Sequence, residues 1–137
     1  MKTILIGGIV ILLLIGGAWW TKSLQKSDPD VVSRNGLHWH PTLAIYVKGE
    51  KQDIPKGIGL GATHLPMHTH DDLPIIHLEF GSVVRKEDLM LGQFFKNWGK
   101  DMHSFGTNVH MTVNGETNTE FENYSMHDKD VIELHYD

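Results

Sequence analysis

Apolar and polar side chains alternate through the stretch that decides the fold, Leu37-His38-Trp39-His40-Pro41-Thr42-Leu43-Ala44-Ile45-Tyr46-Val47. This period of two predicts a strand with one buried face. Side chains two residues apart on a strand share a face, so His38 and His40 should lie side by side, with Cα atoms about 6 to 7 Å apart. Two imidazoles at that spacing can converge on one metal ion.

Two further elements follow in the middle of the chain. Alternation over Leu73 to Phe80 predicts a strand whose polar face carries His77 and Glu79. Beyond it, apolar residues recur at helical spacing, which predicts a helix with one buried stripe, capped at its start by Ser82 or Asp88 and ended by Gly99. The stripe consists of Leu91, Phe94, Phe95 and Trp98.

The sequence pattern in the last third of the chain predicts a series of antiparallel strands. Alternation over Val109 to Val113 runs into Asn114-Gly115, a strong hairpin signal, followed by a return strand through Phe121 and a final strand over Val131 to Tyr136. The whole order predicts an α+β domain, a β-grasp-like mixed sheet packed on one helix, preceded by an N-terminal transmembrane helix. A small α+β sandwich of another topology is the alternative.

The N-terminus carries an uncharged run of 17 residues, Ile4 to Trp20. Such a run is typical of a membrane segment or a signal peptide. The sequence therefore predicts a transmembrane signal anchor over 1–20, a tether over 21–36 and an extracytoplasmic domain over 37–137 with a histidine-rich insertion. This places the chain in the cell membrane as a single-pass protein, or makes it secreted if it is cleaved after Ala18.

Composition excludes several classes of function. The chain of 137 residues has 12 basic and 17 acidic residues, a net charge of -5, which argues against a nucleic-acid partner. Cysteine is absent, so disulfides, thiolate zinc sites and thiol redox chemistry are excluded. The 10 histidines leave imidazole, carboxylate or thioether groups as metal ligands.

The candidate metal ligands come from both parts of the chain. Three histidines of the middle stretch join the upstream pair, and two carboxylates are further ligands or acceptors that fix the imidazole tautomers. His64 and Met67 are expected to be gates or accessory ligands, and His103, His110, His127 and His135 to be solvated. The predicted site is His38, His40, His68, His70, His77, Glu79 and Asp71.

Three functions remain open for this site. The favoured one is a membrane-anchored module that binds copper or zinc for sequestration, delivery or sensing. Methionine next to histidine at Met67, Met102, Met111 and Met126 slightly favours copper. The second is a small zinc enzyme of the hydratase or hydrolase type, with Glu79 or Asp71 as general base. The third is a non-metal domain that presents a pH-sensitive histidine face to a protein partner.

Five motifs stand out along the chain: Leu37-His38-Trp39-His40-Pro41, Ile54-Pro55-Lys56-Gly57-Ile58-Gly59, His68-Thr69-His70-Asp71, Ile76-His77-Leu78-Glu79 and Leu91-Gly92-Gln93-Phe94-Phe95-Lys96-Asn97-Trp98-Gly99. Together they resemble an uncharacterised family of membrane-anchored bacterial and archaeal proteins. The C-terminal part is similar to β-grasp ligand-binding domains. The resemblance implies a fold but names no ligand. A disulfide-isomerase label attached to some members cannot apply, because this chain has no cysteine.

Overall fold

A computed structural model describes residues 2–24 and 28–137. The described chain is α+β, with mixed and antiparallel sheets and an N-terminal helix. The helices are α1 (Lys2–Leu24) and α2 (Leu91–Trp98). The strands are β1 (Val31–Ser33), β2 (Leu37–Trp39), β3 (Thr42–Val47), β4 (Glu50–Gln52), β5 (Met67–His68), β6 (His77–Phe80), β7 (Val84–Arg85), β8 (Val109–Val113), β9 (Glu116–Asn118) and β10 (Val131–Tyr136). Short 3₁₀ helices cover Lys86–Leu89, Met102–Phe105 and Phe121–Asn123.

The largest sheet has five strands in the order β4-β3-β10-β8-β9. Its central strands β3 and β10 are parallel, and the other neighbours are antiparallel. The predicted hairpin at Asn114-Gly115 is confirmed: these residues have φ values of 54° and 82°, as a type I′ turn requires. The return strand is shorter than expected, because it ends at Asn118 and a 3₁₀ helix then includes Phe121.

The stretch that was expected to be one strand contributes to two sheets. β2 pairs with β6 in a three-stranded sheet of order β2-β6-β5, whereas β3 enters the five-stranded sheet. The break falls at His40 and Pro41, where proline has no N–H to donate and the His40 N–H donates to Asp128 at 2.9 Å. Similarly, the strand expected from Leu73 begins only at His77.

Part of the predicted tether is ordered against the domain. β1, within the expected tether, pairs with β7 in a two-stranded sheet, and Arg85 forms an ion pair with Asp28 at 2.6 Å. Residues 25–27 of the tether lie outside the described residues.

The helix α2 has the predicted apolar stripe. Phe94 and Phe95 are buried in the core, and Gly99 ends the helix in the left-handed conformation with φ 73°. The predicted cap is wrong, because the residue before the helix is Met90, which makes no side-chain cap. Asp88 instead accepts a hydrogen bond from the Arg85 N–H at 2.8 Å, at the start of the preceding 3₁₀ helix.

The prediction of a membrane anchor is corrected. Across residues 2–24 and 28–137, no helix combines the length and the apolar character needed to cross a membrane. The predicted single-pass location in the cell membrane is therefore wrong.

Buried tyrosines make the fold sensitive to alkali. The Tyr136 hydroxyl donates to the Met102 carbonyl oxygen at 2.8 Å, and burial raises the pKa of Tyr136 to about 12. Burial and a hydrogen bond to Asp130 also raise the pKa of Tyr124. Because an unfolded tyrosine ionises near pH 10, the unfolded state loses its proton first. The stability from both groups is present below about pH 10 and declines above it.

We expect Tyr136→Phe to lower the free energy of unfolding at pH 7 by about 1 kcal/mol, because the hydrogen bond to Met102 is lost. The same variant should lose less stability than the wild type between pH 9 and 11, since one of the two ionising groups is gone. Urea unfolding at these pH values measures both effects, with Tyr46→Phe as a control. An identical alkaline decline in wild type and Tyr136→Phe would contradict the expectation.

Candidate metal centre

One face of the three-stranded sheet collects the polar side chains of the site. In the antiparallel pairing of β2 with β6, His38 lies opposite Glu79. In the pairing of β5 with β6, His68 lies opposite His77. Residues directly opposite each other share a face, and so do residues two apart on β6. The side chain of Leu78 points the other way and is fully buried in the core.

Six histidines form a continuous set of ring contacts on this face, which we call the histidine cluster. The centroid distances are 4.6 Å for His38 to His40, 5.0 Å for His40 to His77, 4.8 Å for His70 to His77, 5.5 Å for His68 to His77, 4.8 Å for His68 to His70 and 4.4 Å for His64 to His68. The upstream pair and the middle stretch therefore meet, as a shared site requires.

His68 is oriented as a metal ligand needs to be. Its side chain is fully buried, and its Nδ1 lies 3.0 Å from the Leu65 carbonyl oxygen. A carbonyl can only accept, so Nδ1 carries the proton and Nε2 carries the lone pair. Burial lowers the pKa of His68, which favours the neutral form that binds metals.

Other ring nitrogens converge on the lone pair of His68. Its Nε2 lies 3.1 Å from His70 Nε2 and 3.4 Å from His64 Nε2. Two nitrogens bound to one tetrahedral ion at 2.0 to 2.1 Å are about 3.3 to 3.4 Å apart. These nitrogens are thus already at the spacing of ligands that share an ion.

Two carboxylates fix the orientations of two further rings, those of His77 and His38. Both Asp72 oxygens lie 3.1 Å from His77 Nε2, which therefore donates, and this hydrogen bond lowers the pKa of Asp72. Glu79 Oε1 lies 3.1 Å from His38 Nε2 and 3.7 Å from His77 Nδ1. A carboxylate that accepts from one ring nitrogen leaves the other nitrogen free to bind an ion.

The described residues contain two groups able to hold a metal ion, and His77 belongs to both. The first group is His38, His40 and His77, and the second is His68, His70 and His77. Within each group, the candidate ligand atoms all lie within 4.8 Å of one another. Small side-chain adjustments would bring such atoms onto one ion.

The structure places the predicted residues unequally. The five predicted histidines and Glu79 come together, whereas Asp71 forms an exposed ion pair with Lys56 at 2.9 Å. Asp72 occupies the acceptor position instead, beside His77. His64, which was expected to be a gate or accessory ligand, belongs to the cluster, because the chain folds back where Leu60 bridges to His64. Proximity in sequence was the available signal for Asp72 and His64, but the loop conformation decides which side chains face inward.

The loop before β5 is held in place from two sides. Thr69 exchanges hydrogen bonds with Ile58: its N–H donates to the Ile58 carbonyl oxygen at 3.1 Å, and its hydroxyl accepts from the Ile58 N–H at 3.1 Å. On the other side, the Asn97 amide of α2 donates to the Met67 carbonyl oxygen at 3.0 Å. The helix and the loop thus position β5, and with it His68.

No protein-family model, curated protein or solved structure matches this chain. The resemblance to membrane-anchored bacterial and archaeal proteins therefore stays a prediction. The geometry of the histidine cluster is the feature of the described residues that points to a function.

Two glycines of this loop provide a matched test of how His68 is positioned. Gly57 and Gly59 have φ values of 80° and 75°. Among the described residues, a Cβ added at Gly57 meets nothing within 4 Å, whereas one at Gly59 would lie 2.6 Å from the Met67 carbonyl oxygen and 3.2 Å from His68 Cβ. Only the second substitution pushes directly on the site.

We expect Gly57→Ala to cost about 1 to 2 kcal/mol through its backbone conformation alone. Gly59→Ala should cost more, because β5 must also move away from the new methyl group. Thermal unfolding gives the stabilities, and imidazole NMR spectra report the His68 ring. Equal stabilities with an unchanged His68 signal would show that Gly59 does not position the ring.

Proposed function

We propose that this chain is a metal-binding module whose histidine cluster holds copper or zinc. The observation that carries the proposal is the pair of three-histidine groups with ligand atoms within 4.8 Å of one another. The fixed tautomers of His68 and His77 support it, because each leaves one ring nitrogen with an available lone pair.

The donor set favours borderline metal ions. Imidazole nitrogens with nearby carboxylates suit zinc and copper(II), while soft thiolate ligands are absent because the chain has no cysteine. The four methionines that follow or precede a histidine in sequence pack in the hydrophobic core: Met67, Met102, Met111 and Met126. Their placement gives no added support to copper(I).

The number of donors favours binding over catalysis. A catalytic zinc site has three protein ligands and one open position for water or substrate. Here six imidazoles and two carboxylates lie in one connected set, more than a single ion can use. Such a surplus suits a protein that sequesters, delivers or senses an ion.

We also propose that the domain has a β-grasp-like fold. The strand order β4-β3-β10-β8-β9 with a parallel central pair supports this assignment. The position of α2 in the chain, after the first hairpin of that sheet and before the second, supports it further. Since fold alone does not imply function, the assignment does not bear on the metal.

The proposal predicts that the metal-free full-length chain binds about one equivalent of copper(II) or zinc, the number that one shared set of ligands can hold tightly. The crosswise variant His38→Ala/His70→Ala removes one ligand from each three-histidine group. This variant should weaken metal binding by more than about 100-fold. The loss should exceed the effect of removing a residue that only hydrogen-bonds to a metal ligand. Calorimetric titration against a competing chelator measures the affinity.

The matched control for this titration is His103→Ala/His110→Ala, which removes two exposed histidines outside the cluster. It should bind the ion like the wild type. If the wild type takes up neither metal, or if the control and the crosswise variant weaken binding equally, the proposed function is wrong.

Two adjacent aspartates test the role of the hydrogen bond to His77. Asp72→Ala removes the acceptor for His77 Nε2 and should weaken metal binding about 10- to 100-fold. Asp71→Ala removes only an exposed ion pair with Lys56 and should leave the affinity within about threefold, since such pairs contribute little. The same titration compares them, and a larger loss in Asp71→Ala would reverse the assignment.

A further inference from the structure

His77 is the residue at which the two three-histidine groups of the cluster meet. Its ring lies between two sets of partners, at 5.0 Å from the His40 ring on one side and 4.8 Å from the His70 ring on the other. The two three-histidine groups in the described residues have this residue alone in common. Each group without His77 keeps only two histidines.

One ring can serve only one ion at a time while its other nitrogen is protonated. His77 Nε2 donates to Asp72, so the neutral ring has a single lone pair, on Nδ1. Glu79 Oε1 lies 3.7 Å from that Nδ1. The Nδ1 lone pair and the carboxylate oxygen face each other, and together they favour a positive charge between them. While Nε2 keeps its proton, an ion held by either group would have to bind the same Nδ1.

We propose that His77 is a pivot ligand shared by two alternative positions for one ion. The retaining position uses His68 and His70, and the transfer position uses His38 and His40. The ion moves between them by exchanging the other ligands while it stays bound to His77, so no electron or covalent bond is transferred. This inference rests on the proposed metal binding and adds a route by which the ion is passed on.

The two positions differ in how rigidly their ligands are held. His68 is fully buried and its tautomer is fixed by the Leu65 carbonyl oxygen. His38, in contrast, has a side chain that is 62% exposed, and its partner Glu79 is 41% exposed. His70 is exposed as well, so the contrast depends on His68. A competing ligand reaches the His38 position more easily, which makes it the side of release.

A crossed set of variants separates two shared positions from one large site. His38→Ala/His40→Ala removes the transfer group, and His64→Ala/His70→Ala weakens the retaining group without touching buried His68. Each leaves one three-histidine group complete, unlike the crosswise variant His38→Ala/His70→Ala. All three variants remove two histidines, so they match in number.

We expect both group-wise variants to bind one equivalent of copper(II) within about tenfold of the wild-type affinity, or about 1.4 kcal/mol. Their electron paramagnetic resonance spectra should differ, because the ligands differ. The crosswise variant should bind far more weakly than either. Removal of copper by excess chelator should be slower by about tenfold or more in His38→Ala/His40→Ala than in the wild type.

Three outcomes would overturn the pivot. They are two tight equivalents in the wild type, equal losses in all three double variants, and chelator removal that is as fast without His38 and His40 as with them. Each of these leaves metal binding itself intact. Failure of the wild type to bind copper or zinc would instead remove the proposed function, so the two failures are distinguishable. His103→Ala/His110→Ala again serves as the control.

Discussion

The pairing of β6 with β2 and β5 is the constraint on which the site depends. β6 sends Leu78 into the core and His77 and Glu79 to the opposite face, and its two neighbours place His38 and His68 beside them. A slip of one residue would reverse every side chain of the strand. Burial of Leu78 opposes that slip, so the hydrophobic core determines which polar groups meet.

Hydrogen bonds then orient the rings that the strands bring together. The Leu65 carbonyl oxygen, Asp72 and Glu79 each accept from one imidazole nitrogen. Each acceptor selects a tautomer, and the other nitrogen keeps its lone pair. The rings are thus oriented by groups that would not themselves need to contact an ion. This is why the proposed function relies on the whole constellation rather than on a count of histidines.

The core also reaches the site through α2 and the loop before β5. Phe94 and Phe95 are buried and anchor the helix, whose Asn97 donates to the Met67 carbonyl oxygen. Gly59 lies so close to β5 that its lack of a side chain is required. The packing of α2 in the core, far from the imidazoles, therefore helps to set the position of His68.

The sequence by itself determined the local elements and the supply of donors. Alternation on β6, the turn at Asn114-Gly115 and the apolar stripe of α2 were all readable, because they depend on neighbours close in the chain. The absence of cysteine likewise restricted any metal site to imidazole and carboxylate ligands. The membrane anchor was wrongly predicted, because no helix among residues 2–24 and 28–137 is long and apolar enough to cross a membrane. Only the tertiary structure decided that the first strand breaks at Pro41, that Asp72 and not Asp71 meets His77, and that His64 joins the cluster. These outcomes depend on the path of loops between distant strands, and local periodicity carries no information about that path.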